Sequence, residues 1–374
     1  MLKVLSVFGT RPEAIKLMPV IKLLNAQSDH VVSRVCVTAQ HRGMLDQVLN
    51  LFDIQPHIDL NLMQHNQTPL QVAAAVMREL EPIVKAERPD WMLIQGDTTT
   101  VMAAALVGAY SSVKVGHVEA GLRTYNKAQP FPEEINRLVA SAVADLHFAP
   151  TERARLNLLR ENIPEERIVV TGNTIIDALN YVVQQPVNTT ALPIPLTELE
   201  NPALRWILVT LHRRENFGQP VQDVCDALRQ IVESDSGIRI VFPVHPNPQV
   251  QEPVYQALKD VPNVYLLPPL DYFTLVAVMK RVYLILTDSG GIQEEAPGLG
   301  KPVLIMRDVT ERPEAVEAGV ARLVGTNTEL IVATVRQLLH ERDVYRIMSQ
   351  GKNPFGDGHA AERIVATLLN SNNP

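Results

Sequence analysis

The sequence predicts an α/β protein built from two doubly wound parallel sheets. Three observations carry that expectation. Short β-branched runs alternate with amphipathic helical segments almost from end to end, the alternation stops once and resumes, and 374 residues is too long for one comfortable core. A hydrophobic content of 46% is enough to fill two cores of ordinary size.

The first series has strand runs at 2–8, 31–38, 91–95, 113–118, 146–148 and 168–170, with helical patterns at 12–25, 44–52, 70–87, 99–110 and 133–144 between them. The alternation then breaks at PVNTTALPIPLTELENP, residues 186–202, which is proline-rich and weakly periodic, as a linker or surface excursion is. Strand runs resume at 206–209, 238–244, 264–267, 284–286, 303–305 and 321–324, each followed by a helical or turn segment. The expected division is a first domain over 1–185 and a second over 203–358, with 186–202 between them. A final segment within 360–374, after the glycine-rich break GKNPFGDGH, crosses back onto the first domain.

Composition narrows the partners. A formal charge of −7 and a sequence pI near 5.8 leave no electrostatic footprint for a nucleic-acid backbone or an anionic membrane. The two cysteines, Cys36 and Cys225, lie far apart and fit reduced, buried thiols better than a disulfide framework or a zinc site. The opening MLKVLSVFG has a short apolar run that breaks into Thr-Arg-Pro-Glu, so it reads as a first strand and not as a signal sequence. No stretch reaches bilayer-spanning length. The expectation is a cytoplasmic protein.

Open parallel sheets bind ligands beyond the carboxyl ends of their strands, and two such sheets facing each other make a cleft. At the first exit, FGTRPEAIK sets Arg11 and Lys16 around a helix N-terminus, where cations oppose the helix dipole and a bound anion would remove the conflict. The alternative is that both side chains extend into water. Three further exits carry acids: Asp97 in QGDTTT, Glu119 in HVEAGLRT, and Glu133 and Glu134 in FPEEINR. Any one of them alone reads as a helix cap or first-turn acid. Clustered on one sheet edge, they would repel unless they had partners or chemical work.

The second half contributes TLHRREN, in which His212 is embedded among charges; a surface ion-pair cluster is the competing reading. It also contributes TDSGGIQEEAPGLG, where Ser289, Gly290 and Gly291 follow a strand and open a helix, so that their N–H groups can point at a diphosphate. Glu295, an acceptor only, suits a vicinal diol such as a ribose, and Arg312 adds a compensating charge. LGKP lacks the spacing of a Walker loop, no G-x-G-x-x-G follows the first strand, and neither HExxH nor an Asp-x-Asp pair occurs. Chemistry without cofactor or metal is therefore expected.

Taken together, FGTRPEAIK, TAQHR, QGDTTT, GHVEAGLRT, FPEEINR, TGNTIIDAL, HRREN and TDSGGIQEEAPGLGKPVLIMRDVTERPE resemble, in order and along the whole chain, the non-hydrolysing bacterial UDP-N-acetylglucosamine 2-epimerases. The resemblance implies two Rossmann-like domains facing across a cleft in the glycosyltransferase B-type arrangement, usually as a homodimer. It implies interconversion of UDP-N-acetylglucosamine and UDP-N-acetylmannosamine for cell-surface polysaccharide. Arg11, Lys16, Ser289, Gly290, Gly291, Glu295 and Arg312 would then serve the UDP part, and Asp97, Glu119, Glu133 and His212 the sugar and the chemistry. Gln40, His41, Gln67, Glu134 and Arg213 resemble a second site at which members are activated by their own substrate; a structural ion pair is the competing reading of Glu134 and Arg213. Leu211, Leu270 and Leu275 depart from members with Gly or Thr, Gln and Phe at those places.

The C2 hydrogen of such a sugar is not activated by a carbonyl, so its removal needs the neighbouring C1–oxygen bond to break as well. Expulsion of UDP to give a glycal, followed by re-addition after protonation on the other face, meets that need. A hydrolysing relative that releases UDP and N-acetylmannosamine, a glycosyltransferase of the same fold, and a nucleotide-sugar sensor without catalysis are the alternatives.

Overall fold

The computed structural model describes residues 1–38, 42–62, 64, 67–187, 192 and 194–371. The chain divides into two compact units, Met1–Tyr181 with Phe355–Pro374, and Val182–Pro354. Each unit is organised around one parallel sheet with interleaved helices, so the expected fold class is borne out for both halves.

The first unit runs β1 (Leu2–Phe8), α1 (Arg11–Ala26), β2 (Val31–Val37), α2 (Arg42–Leu51), β3 (Ile58–Asp59), α3 (Pro69–Glu87), β4 (Trp91–Gln95), α4 (Thr99–Tyr110), β5 (Lys114–Val118), α5 (Glu133–Val143), β6 (Leu146–Ala149), α6 (Glu152–Arg160), β7 (Ile168–Val170) and α7 (Thr174–Gln184). The strand order is β3-β2-β1-β4-β5-β6-β7, all parallel. Strands covered on both faces must be apolar throughout, and β4, WMLIQ, is buried at every position. Helix α1 buries Ile15, Leu17, Met18, Val20, Ile21 and Leu24, each contributing about 1.5–3 kcal/mol on burial. The boundary between the units falls inside α7.

The second unit runs α8 (Leu196–Leu199), β8 (Arg205–Thr210), α9 (Gln219–Ser234), β9 (Ile238–Pro243), α10 (Pro248–Leu258), β10 (Val264–Leu267), α11 (Tyr272–Met279), β11 (Leu284–Thr287), α12 (Gly290–Glu295), β12 (Val303–Ile305), α13 (Pro313–Glu317), β13 (Ala321–Leu323), α14 (Thr328–His340) and α15 (Arg342–Gln350). Its sheet order is β10-β9-β8-β11-β12-β13. The proline-rich stretch before β8 is anchored to this unit: Ile194 and Leu199 are buried, and the Trp206 indole donates to the Glu198 carbonyl at 3.0 Å. Helix α16 (Ala360–Asn370) belongs to the first unit and packs on α1. The Asp177 carboxylate on α7 accepts from Ala360 N at 3.3 Å and Ala361 N at 2.9 Å, satisfying donors that a helix start leaves open. Cys36 and Cys225 are free and buried, and burial pushes both thiols up to about 12. No described helix is long and apolar enough to cross a membrane.

Candidate active site

In the first sheet β1 lies between β2 and β4, so successive strands build outward in both directions from it. Such a switch point leaves a crevice at the strand exits. The exits of β1, β4 and β5, which are sheet neighbours, carry most of the residues expected to act in this unit. Arg11 opens α1 and is half-buried. One turn on, the Lys16 ammonium pairs with the Glu119 carboxylate after β5, and Gln95 Nε2 donates to the same carboxylate at 3.0 Å. Lys16, expected with the UDP-binding groups, thus stands with an acid of the sugar set. Glu119 holds φ at 65°, a left-handed conformation that non-glycine residues adopt at a cost and that recurs at functional sites.

Asp97 follows β4 through Gly96, whose φ of 81° a side chain would disfavour. Helix α5 fixes Asp97 from one side. Arg137 donates to Asp97 Oδ2 from Nε at 3.0 Å and from Nη2 at 2.6 Å, and Asn136 Nδ2 donates to the Asp97 carbonyl at 2.9 Å. Among the described residues nothing bonds Oδ1, and the Asp97 side chain is 29% exposed. A carboxylate with one oxygen anchored and the other open is poised to exchange a proton with a ligand. Glu133 opens the same helix and is half-buried.

Its neighbour Glu134 does something different. It is buried and accepts from Thr124 N at 3.2 Å, Tyr125 N at 2.9 Å and Arg137 Nη1 at 3.0 Å, so in this structure its carboxylate ties the 124–125 loop to α5. Of the other residues considered for a second site, Gln67 accepts from Gln64 N at 3.0 Å, and Gln40 and His41 lie outside the described residues.

In the second sheet the exits of β8 and β11 meet at Asp288, which is fully buried. Asp288 Oδ2 accepts from His212 N at 2.9 Å, Arg213 N at 2.8 Å and Asn216 Nδ2 at 3.1 Å, while His212 Nδ1 lies 2.8 Å from Oδ1. Burial works to raise the Asp288 carboxyl, but the hydrogen bond and charge of His212 and the backbone donors outweigh it and hold the group below its ordinary value. An imidazole whose Nδ1 faces a carboxylate at ion-pair distance presents Nε2 as the proton acceptor or donor. The His212 side chain is 36% exposed, so Nε2 chemistry is open to a ligand.

Helix α12 begins at Gly290, and its first-turn N–H groups have no intrahelical acceptor. The Ser289 N–H is already given to Thr287 Oγ1 at 2.9 Å, which leaves Gly290 and Gly291 as the donors for an anion. The adjacent acids of this motif point to separate partners. Glu294 accepts from Arg312 Nε at 2.9 Å, and Glu295 accepts from the Tyr272 hydroxyl at 2.5 Å. Burial and the Glu295 charge push the Tyr272 phenol well above its ordinary value, so it stays a donor. Arg312 also donates to Glu311 at 2.8 Å, and its guanidinium lies flat on Gly290: a Cβ there would sit 2.8 Å from Cζ. Leu211 is buried in the core of this unit, whereas Leu270 and Leu275 are half-buried.

Sequence reasoning singled out the acids and cations but missed the groups that hold them, Gln95, Arg137, Asp288, Tyr272 and Glu294, as well as the buried Glu13 of α1. A signal existed for Glu13, because Thr10-x-x-Glu13 is the capping-box spacing. For Asp288 the position beside Ser289 at a strand exit was the available signal.

Strand exits that carry anchored acids in the first unit, and a His–Asp pair and a glycine-led helix start in the second, are features of an α/β enzyme. The chain belongs to the UDP-N-acetylglucosamine 2-epimerase family, whose model matches residues 24–369. It is 52% identical over 370 residues to the UDP-N-acetylglucosamine 2-epimerase of Salmonella typhimurium, covering 98% of each chain. A solved structure of the Neisseria meningitidis UDP-GlcNAc 2-epimerase bound to UDP-GlcNAc is 45% identical, with a TM-score of 0.91 over 99% of this chain and 100% of the other. The Methanocaldococcus jannaschii enzyme, solved in complex with UDP-GlcNAc and UDP, is 35% identical with a TM-score of 0.81, over 99% and 100% of the two chains.

Proposed function

We infer that this protein interconverts UDP-N-acetylglucosamine and UDP-N-acetylmannosamine by eliminating and re-adding UDP, without net hydrolysis. The observation that carries the reading is the grouping of Arg11, Lys16, Asp97 and Glu119 at the neighbouring exits of β1, β4 and β5. A base takes the C2 proton while the C1–oxygen bond breaks, its electron pair leaving with UDP and a C1–C2 double bond remaining. Protonation of C2 from the opposite face and return of the UDP oxygen to C1 complete the inversion. Two proton-carrying groups are needed, one per face.

Asp97 and Glu133 are the residues we assign to proton transfer, with Glu119 orienting the hexose and Lys16 holding Glu119. Negative charge grows on the departing diphosphate, and we assign Arg11, Arg312 and the Gly290 and Gly291 amides to favouring that charge over the ground state. His212, oriented by Asp288, serves the leaving phosphate, and Glu295 receives the ribose hydroxyls. We further propose a cytoplasmic homodimer. Substrate activation would require Glu134 to exchange its present partners for a ligand.

The test is a product balance. Purified protein given UDP-N-acetylglucosamine should yield UDP-N-acetylmannosamine with no accumulating UDP. Stoichiometric UDP and free N-acetylmannosamine would identify a hydrolase instead.

A further inference from the structure

We propose that Glu13 is a positioning residue that ties the exit of β1 to the exit of β4, and so fixes Arg11 and Asp97 in register. The inference rests on the function proposed above and deepens it. Glu13 is 2% exposed, lies in the first turn of α1, and touches no group expected to react. Both ends of its carboxylate are used. Oε2 accepts from Gly9 N at 3.1 Å and Thr10 N at 2.7 Å, the two residues leading into Arg11. Oε1 accepts from Thr98 Oγ1 at 2.9 Å, across 85 positions of sequence.

Thr98 follows Asp97 directly and also accepts from Val101 N at 3.3 Å, capping α4. The turn carrying Asp97 is thereby held from two sides, by Glu13 through Thr98 and by α5 through Asn136 and Arg137. A third brace comes from His117, whose Nε2 lies 2.7 Å from the Gly96 carbonyl. Remove Glu13 and the β1 side of this frame disappears, while the buried Gly9 donor and the half-buried Thr10 donor lose their acceptor. What the frame leaves open is Asp97 Oδ1, the atom needed for proton transfer.

The chemistry of the bridge says that shape matters here more than charge. It needs an acceptor toward two N–H groups and any polar partner toward a hydroxyl. Burial pushes the Glu13 carboxyl up to about 7, against hydrogen bonds from Thr10, Thr98 and Gly9, so the group is found in both protonation states near neutrality. Either state sustains the bridge, with a proton on Oε1 turning the Thr98 hydroxyl from donor to acceptor. Glutamine reproduces that arrangement with Oε1 toward Gly9 and Thr10 and its amide toward Thr98.

The experiment compares wild type, Glu13→Gln, Glu13→Ala, Thr98→Val and the Glu13→Ala/Thr98→Val double variant by kcat, KM and circular dichroism. Displacement of a reacting group by about 1 Å costs on the order of a hundredfold, so Glu13→Ala should lose roughly 10- to 100-fold in kcat with its spectrum unchanged. Glu13→Gln should stay within about threefold of wild type, and the double variant should lose no more than Glu13→Ala alone. Should Glu13→Ala not fold, Thr98→Val carries the test, with an expected loss of about five- to tenfold in kcat. Wild-type turnover in Glu13→Ala or Thr98→Val, or a Glu13→Gln as impaired as Glu13→Ala, would overturn the inference. Failure of the wild-type protein to epimerise at all would instead overturn the functional reading beneath it.

Discussion

Replacing Asp288 by asparagine separates orientation of His212 from its mere presence. The Asp288 carboxylate collects three N–H donors on Oδ2 and His212 Nδ1 on Oδ1, at 2.8–3.1 Å. An asparagine can keep its oxygen toward the three donors, but its NH2 must then face Nδ1. That forces the imidazole to carry its proton on Nε2, the tautomer opposite to the one the carboxylate selects. Hydrogen bonds to a charged group contribute about 1.5–3 kcal/mol against about 0.5–1.5 for neutral ones, so on the order of 1–1.5 kcal/mol of stability should go with the charge. Positioned acid–base groups contribute about 10²–10⁴ in rate, and kcat should fall within that range. Because the folded-state Asp288 titrates below its ordinary value of 3.8, its stabilisation is present above that pH and is lost as the pH falls through the folded value. The melting-temperature difference between wild type and Asp288→Asn should therefore shrink below about pH 4. The assay is turnover by NMR of the sugar nucleotide beside calorimetric UDP binding. A folded Asp288→Asn within threefold of wild-type kcat would refute the His–Asp pairing as a functional device.

Other outcomes follow from the same geometry. Asp97→Asn should abolish epimerisation while calorimetry shows UDP affinity largely intact; near-normal turnover would remove Asp97 from the proposal. Gly290→Ala puts a Cβ 2.8 Å from the Arg312 guanidinium, which must give way and so strains its pairing with the buried Glu294. A loss of about 1–3 kcal/mol in stability and UDP binding weakened about 10-fold or more are expected, read by melting and calorimetry. Glu13 binds protons more tightly folded than unfolded, since burial raises it from 4.5 to about 7. Its contribution to stability is therefore full below about pH 4.5 and is lost as the pH rises toward 7, by on the order of 3 kcal/mol. Relative to Glu13→Gln, the wild-type protein should lose stability over that window in chemical denaturation, and a flat difference would contradict the buried placement of the carboxyl.

The strands were legible because parallel strands buried on both faces read as apolar runs whatever their neighbours do; WMLIQ and YLILT declare themselves. Two-residue β3 carries no run to read, and helix α6, ERARLNLLR, is short and too charged to stand out as an element. The acids at the exits were legible as types and positions, but not in their pairings. Lys16 and Glu119 are 103 positions apart, and Arg137 and Asp97 are 40 apart. Nor does a sequence say which of two adjacent acids turns inward: Glu134 is buried against Thr124 and Tyr125 while Glu133 is half-buried, and Glu294 and Glu295 take different partners. Helical spacing fixes a residue's angle about its own axis, and only packing decides what that direction meets.

Proton exchange at C2 is the step on which the account depends, and heavy water reads it directly. Wild-type protein incubated with UDP-N-acetylglucosamine in D2O should place deuterium at C2 of both sugar nucleotides, with free UDP remaining negligible. Inversion without deuterium at C2, or deuterium arriving only in released N-acetylmannosamine with matching UDP, would contradict it.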